Sequence, residues 1–451
     1  MQEKVSLNSL SIIGLGKVGL CIAVCFASSG YNVIGVDVDE KRVKMINEGK
    51  APFYEEGLED TLKSVIKNDK LVATTDYDYA LERSDITFVV VPTPSNPDGS
   101  FSTKYVEYTM RKIAKILKDK NGSHIVVLNS TVMPETMEET VKPLLEDLSR
   151  KKCGIDFGLC YNPVFIAIGK VISDILHPDF VLIGESDPNS GKILSDLYYS
   201  ICKNKPPIAR ISLTEAEVTK LSVNSFLTVK ITFANKLAEI CEKIPGIDVD
   251  VITSAVGLDS RIGSKFIKGG LGYSGPCFPR DNKAFISLAK RLNMRTELTE
   301  AIVRKNNTIP TRISNAILKK ASEGHTCIAV LGLTYKPNTY LVDESQSVLI
   351  AKILADNGLK VIVHDLMGID YAKPILRNSV EYASSLEECV EKATIFVLAT
   401  PWQEYKNLIP LLSSKRKKSV IIDCWRFLNE KEKTEDIEYI AVGRYDKIFQ
   451  K

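Results

Sequence analysis

The segment Gly269-Gly270-Leu271-Gly272-Tyr273-Ser274-Gly275-Pro276-Cys277-Phe278-Pro279-Arg280-Asp281 gathers four glycines, two prolines and a cysteine in thirteen residues. Such a run cannot be regular helix or strand. Its glycines let backbone approach a ligand and its prolines stiffen the path. A thiol of ordinary pKa near 8.5 is only about 3% thiolate at pH 7, so a reactive cysteine needs a cation or a helix N-terminus beside it. Spacing alone leaves two readings of Cys277: a nucleophile carried on a shaped loop, or a small packed thiol.

A second constellation stands near the start. Gly14-Leu15-Gly16-Lys17-Val18-Gly19 follows the apolar run Leu10–Ile13 and opens a helical stretch. A second apolar run, Asn32–Asp37, ends in an acid about 20 residues on, the spacing of a dinucleotide fingerprint. Gly14 serves the tight turn, Gly16 admits a pyrophosphate to the backbone, and Gly19 permits close helix–strand packing. The helix N-terminus then presents unpaired N–H groups to the phosphates. Asp37 accepts from both ribose hydroxyls and repels a 2′-phosphate, which favours NAD over NADP; Arg42 nearby softens that preference.

These residues need elements to hold them, and the chain supplies a similar set twice. Cys327–Leu331 is a strand, Gly332 begins a turn, a helical stretch runs to about Asn357, Gly358 closes it, and Val361–Asp365 is a strand ending in an acid. Ser84–Pro94 resembles Ala393–Pro401, and His124–Asn129 resembles Ser419–Asp423. Apolar runs alternating with amphipathic helices imply parallel strands with crossovers. The expectation is an α/β protein with two doubly wound Rossmann-like domains, residues 1–210 and 311–451, joined by a helical domain over 211–310. The second copy lacks the glycine fingerprint. Its Lys336 adds a cation where a phosphate-bearing ligand could bind, or is a solvated lysine.

The joining region is built on a long helix from Thr214 to about Lys243, with Thr214 and Glu217 as an expected capping box. Leu221, Phe226, Val229, Ile231, Phe233, Leu237 and Ile240 spread around much of its cylinder. This suits a spine buried between subunits, or within one. Lys220 and Asn224, four apart, share a face of it.

Composition sets the outer bounds. Fifty-nine basic and 56 acidic residues leave a net charge of +3, too even for nucleic acid as the partner. No run approaches the roughly 20 apolar residues of a membrane span, so the expectation is a cytoplasmic protein without membrane insertion. The ten cysteines include no CxxC and there are only four histidines, which argues against a disulfide framework and against a metal site.

With those motifs in view, the chain resembles the UDP-glucose/GDP-mannose dehydrogenase family over nearly its whole length. The matching segments are GLGKVG (14–19), VDVDEKRV (36–43), VPTP (91–94), STV (130–132), EAEVTKLSVNSF (215–226), GLDSRIG (257–263), GGLGYSGPCFPRD (269–281) and GLTYKPNT (332–339). The resemblance implies oxidation of a sugar-nucleotide C6 alcohol to the acid by two hydride transfers to NAD. The Phe278-Pro279 pair after Cys277 looks most like the UDP-glucose branch. Cys277 is then the covalent nucleophile, Lys220 and Asn224 stabilise the C6 oxygen, and Asp281 tunes the proton transfers. Thr131, in the STV turn after the fourth strand, sits near C6 and its water as well as the cofactor, and Thr93 near the nicotinamide. Lys17, Val18 and Arg42 join the glycines and Asp37 on NAD. Phe165, Phe266, Gly270, Tyr273, Phe278 and Lys336 line the substrate. Arg261 comes from a neighbouring subunit, which implies a homodimer or larger assembly.

Three positions depart from the pattern. The glutamate that the resemblance credits with activating water is Val164, and an acid four residues on is Ile168. Ser274 stands where glycine is usual, and Asp343 near the place of an arginine. Rival readings are the same chemistry on UDP-N-acetylhexosamine or GDP-mannose, a simpler hydroxyacid dehydrogenase, and a sugar-nucleotide-binding protein that has lost turnover.

Overall fold

The computed structural model describes residues 8–324 and 327–450 and divides into two compact units, Met1–Ser222 and Val223–Lys451. The first unit's sheet is built from β1 (Ser9–Ile13), β2 (Asn32–Val36), β3 (Leu71–Thr74), β4 (Ile86–Val89), β5 (Ile125–Leu128), β6 (Gly158–Tyr161), β7 (Val181–Glu185) and β8 (Ile208–Ser212). Their order is β3-β2-β1-β4-β5-β6-β7-β8. The first six follow the doubly wound order, whose switch point between β1 and β4 opens a crevice at the strands' carboxyl ends. Apolar clusters cover both faces, one around Phe26 and Phe88, the other around Val89, Met110 and Tyr161.

Two sequence expectations are corrected here. The sheet is not wholly parallel, because β7 pairs antiparallel with β6. The STV turn follows the fifth strand rather than the fourth, since Leu71–Thr74 forms β3. That strand is short, and Val72 points an apolar side chain toward solvent, which blurs its pattern.

The second unit's sheet takes β9 (Cys327–Leu331), β10 (Lys360–His364), β11 (Glu381–Tyr382), β12 (Ile395–Leu398), β13 (Ser419–Asp423) and β14 (Ile437–Ala441), in the order β11-β10-β9-β12-β13-β14 and parallel at every pairing. The helix after β9 starts only at Gln346, capped by Ser345, so Gly332 opens a fourteen-residue loop rather than a helix. Helices Val249–Gly257, Phe278–Arg291 and Glu297–Ala321 also belong to this unit.

The long helix spans Leu213–Cys241, and the division between the units falls inside it, after Ser222. Its capping box is Ser212 with Glu215, not Thr214 with Glu217: the Glu215 carboxylate accepts from Ser212 N (2.9 Å) and the Ser212 hydroxyl accepts from Glu215 N (3.3 Å). Glu217 is buried instead and has other partners. No helix of the described residues is long and apolar enough to cross a membrane. Among the described residues no group of three or more His, Cys, Asp or Glu could hold a metal ion.

Candidate active site

The first-unit site begins where β1 ends. Gly14 has φ of 97°, and a Cβ there would lie 2.3 Å from Val90 O; one on Gly19 would lie 1.8 Å from Gly14 O. Only glycine fits either place. A Cβ on Gly16 would meet nothing within 4 Å. The helix Lys17–Ser28 starts behind Gly16 with no side-chain cap. Half-buried Lys17 and Val18 thus stand at an open, uncapped N-terminus whose dipole and N–H groups suit a pyrophosphate. This turn has the form a dinucleotide needs. Asp37, buried just beyond β2, ties the turn to the acid: Oδ2 accepts from Leu15 N at 2.8 Å and from Arg42 Nη1 at 2.9 Å, and Oδ1 accepts from Asp39 N at 3.0 Å.

Across the switch point, the segments after β4 and β5 are stitched together. The Ser130 hydroxyl donates to Val91 O (2.6 Å) and accepts from Val91 N (2.9 Å), while Thr93 Oγ1 donates to Thr131 O (2.8 Å). Farther along the sheet, Asn162 pins the segment after β6, its amide donating to Leu182 O and its oxygen accepting from Tyr198 Oη. Lys220, buried on the long helix, reaches this segment. Its Nζ donates to Val164 O at 2.8 Å and lies 4.4 Å from the centre of the Phe165 ring, which itself packs on Phe180. The side chains of Val164 and Ile168 face the first unit's apolar core.

Two buried carboxylates brace this site: Glu55, which no sequence motif marked, and Glu217, expected as half of a capping box and found in another role. Glu55 accepts from Gly169 N (2.9 Å) and Val171 N (2.8 Å). Glu217 accepts from Glu135 N (2.7 Å) and Met137 N (2.8 Å). Burial lifts the Glu217 carboxyl to about 7 against the lowering pull of those two N–H groups, with the charges of Glu138 and Glu135 adding to the rise. For Glu217 the sequence signal was an acid among apolar residues of a helix; Glu55, in the loop before helix Leu58–Lys67, carried none.

In the second unit, Cys277 is the exposed member of the ten cysteines. Burial pushes the thiols of Cys25 and Cys389 up to about 12 and that of Cys202 to about 11, which makes them inert. Cys277 stands at the N-cap of helix Phe278–Arg291, where no side chain caps the helix and Pro279 occupies the first turn. A helix N-terminus favours a thiolate. Four residues on, buried Asp281 accepts from the Asn224 amide at 2.5 Å, so the long helix orients that carboxylate.

The loop before Cys277 is fixed at successive backbone groups. Gly269 O accepts from Arg426 (2.6 Å) and Gly270 N donates to Asn235 (2.8 Å). Gly272 N donates to Gln346 (3.2 Å), Tyr273 O accepts from Asn306 (3.0 Å) and Gly275 N donates to Asp343 O (2.9 Å). Gly275, not Ser274, takes the positive φ, so a serine at 274 costs the loop no backbone strain. Asp343 enters through its main chain. Phe278 meets Tyr273 and Phe266 edge-on, forming a small aromatic wall behind the loop. Arg261 is exposed and paired with Asp259 at 2.6 Å.

At the second sheet's carboxyl edge, the acid equivalent to Asp37 is already saturated. Asp365 accepts from Leu333 N, Thr334 N, Met367 N, Gly368 N and Trp402 Nε1. It organises its own loops and has no capacity left for a ribose. Half-buried Lys336, 5.7 Å from the Tyr335 ring, stays on the loop after β9.

Fold and site together are those of an NAD-dependent oxidoreductase acting on a nucleotide sugar. The profiles of the UDP-glucose/GDP-mannose dehydrogenase family match in three consecutive parts: the NAD binding domain over 8–202, the central domain over 214–308 and the UDP binding domain over 329–430. The chain belongs to this family. It is 35% identical over 425 residues to a UDP-glucose 6-dehydrogenase of Haloferax volcanii, covering 94% of this chain and 98% of that one. To a GDP-mannose 6-dehydrogenase of Pseudomonas putida it is 33% identical over 438 residues, covering 94% and 98%. The solved UDP-glucose dehydrogenase of Pyrobaculum islandicum superposes with a TM-score of 0.88 at 32% identity, covering 98% of this chain and 99% of that one.

Proposed function

We propose that the protein oxidises C6 of UDP-glucose to the carboxylate of UDP-glucuronate. The functional parts are residues 1–210 for NAD, 211–310 for the helical core and 311–451 for the nucleotide sugar. The observation that carries this reading is Cys277, an exposed thiol at an uncapped helix N-terminus on a loop fixed by hydrogen bonds.

NAD, when bound, accepts a hydride at each of two oxidations. The chain's own residues do the rest. Lys220, presented beside Phe165, meets the negative charge that grows on the C6 oxygen, a contribution commonly about 3–4 kcal/mol. Thr131, held by Thr93, orients C6 and its water. The aldehyde left by the first oxidation would otherwise escape. The Cys277 thiolate adds to its carbonyl carbon, forming a thiohemiacetal. Loss of the second hydride from that carbon leaves a thioester, and water then releases the acid and restores the thiol. Asp281, oriented by Asn224, takes or returns protons along this path.

UDP-glucose is favoured over GDP-mannose by the Phe278-Pro279 pair and by the Haloferax and Pyrobaculum relatives. We further propose that the working form is a homodimer or larger. Phe226, Phe233 and Ile240 recur every seven residues along the long helix and are 63%, 51% and 42% exposed. A stripe of that spacing is the seam of a helix–helix contact. The test is NADH formation against a panel of sugar nucleotides with mass analysis of the product. UDP-glucose should give the C6 acid; oxidation of GDP-mannose or a UDP-N-acetylhexosamine alone would move the substrate assignment.

A further inference from the structure

Glu217 is fully buried, and each of its carboxylate oxygens meets a backbone N–H of one short segment, Glu135 and Met137. That segment follows Thr131 and leads into the helical turn Met137–Val141. Glu135 has φ of 77°, a region that residues with a side chain adopt only when their surroundings hold them there. At the other end of the segment, Ser130 and Thr93 fix it to the backbone after β4. Three residues beyond Glu217 on the same helix, Lys220 binds Val164 O. A single turn of the long helix therefore fixes the segment that carries Thr131 and the segment that carries Phe165.

We infer that Glu217 is a positioning residue for the oxidation: its buried carboxylate clamps residues 133–137 and thereby sets where Thr131 stands relative to Lys220. The inference rests on the reading of Thr131 and Lys220 given above. With an N–H donor at each oxygen the group holds the clamp in its ionised form, above pH about 7, and a carboxylate suits the task because it accepts at both oxygens. A carboxamide of the same shape has one accepting oxygen and one NH2, and the NH2 would face an N–H. With one end of the clamp lost, the positive φ at Glu135 is no longer held and Thr131 moves.

Glu217→Gln tests this. The expected result is a kcat lower by roughly 10- to 100-fold with KM for the sugar nucleotide and the Kd of NAD little changed, as displacement of a positioned group produces. Adding Glu135→Gly should recover most of the lost kcat, because glycine adopts that φ unaided, and it also gives a folded variant if Glu217→Gln alone is unstable. Glu135→Gly by itself should keep kcat near that of the unsubstituted protein. Amide hydrogen exchange should quicken over residues 133–141 in Glu217→Gln and stay as it was in the second unit. Unchanged kcat in Glu217→Gln, or unchanged exchange over 133–141, overturns the inference. If the unsubstituted protein makes no NADH from any sugar nucleotide, the functional reading fails, and the exchange measurement still decides whether the clamp exists.

Discussion

Cofactor choice can be worked out at Asp37. Oδ2 already receives Leu15 N and the Arg42 guanidinium and Oδ1 receives Asp39 N, so of about four lone-pair sites one remains, on Oδ1, for a ribose hydroxyl, and a second opens on Oδ2 if Arg42 swings away. Hydrogen bonds to a charged acceptor contribute about 1.5–3 kcal/mol, so Asp37→Asn should lower kcat/KM for NAD by roughly 10- to 150-fold. The effect on NADP has the opposite sign. At about 4 Å and an effective dielectric of 20, a carboxylate repels each unit of phosphate charge by about 4 kcal/mol. Asparagine removes that term and frees Arg42, now 2.9 Å from Oδ2, to meet the 2′-phosphate. The NAD/NADP ratio of kcat/KM should therefore fall by at least roughly 100-fold. Initial rates with both cofactors at saturating UDP-glucose measure it. Arg42→Ala placed on top of Asp37→Asn should take away the NADP gain. A ratio unchanged in Asp37→Asn would show that Asp37 serves only the turn at Leu15.

The departure at position 164 predicts a slow last step: without the glutamate that the resemblance implies, water activation should lose about 10²–10⁴ in rate. Rapid mixing with UDP-glucose and excess NAD should show a burst approaching two NADH per site and an acyl adduct on Cys277, whereas a fast linear course without adduct would mean another group activates water. Light scattering at micromolar concentration should report at least a dimer, and Phe233→Glu on the exposed stripe should shift it toward monomer; an active monomer would place Arg261 in its own subunit's chemistry. Gly14→Ala should abolish NAD binding, because its Cβ cannot clear Val90 O, and retained affinity would refute the assignment of the turn.

Much of the frame was legible because its signals are local. The Gly14 turn, Asp37 and the strand Cys327–Leu331 follow from residue types at fixed offsets, and they appear where expected. Strand direction was not legible: Val181–Glu185 reads the same in a parallel or an antiparallel pairing, since both bury it. The capping box slid by two residues because Ser212–Glu215 and Thr214–Glu217 have the same spacing, and only tertiary burial distinguishes them. The same blindness hid Glu55, the clamp that Glu217 makes, and Arg426, which pairs with the Asp250 carboxylate and holds Gly269 O. Their partners lie far along the chain, and a backbone N–H or carbonyl leaves no mark on the sequence. The saturation of Asp365 was hidden too, although its position at the end of a strand matched that of Asp37.

The covalent four-electron oxidation is tested by the stoichiometry and product of a single reaction with UDP-glucose and excess NAD, run with the unsubstituted protein and with Cys277→Ala. Two NADH should form for each UDP-sugar consumed, with a product richer by one oxygen and poorer by two hydrogens. Cys277→Ala should form no acid while its fold and NAD binding stay intact. Normal acid formation by Cys277→Ala would contradict the covalent path, and a single NADH per sugar with an aldehyde product would contradict the four-electron oxidation itself.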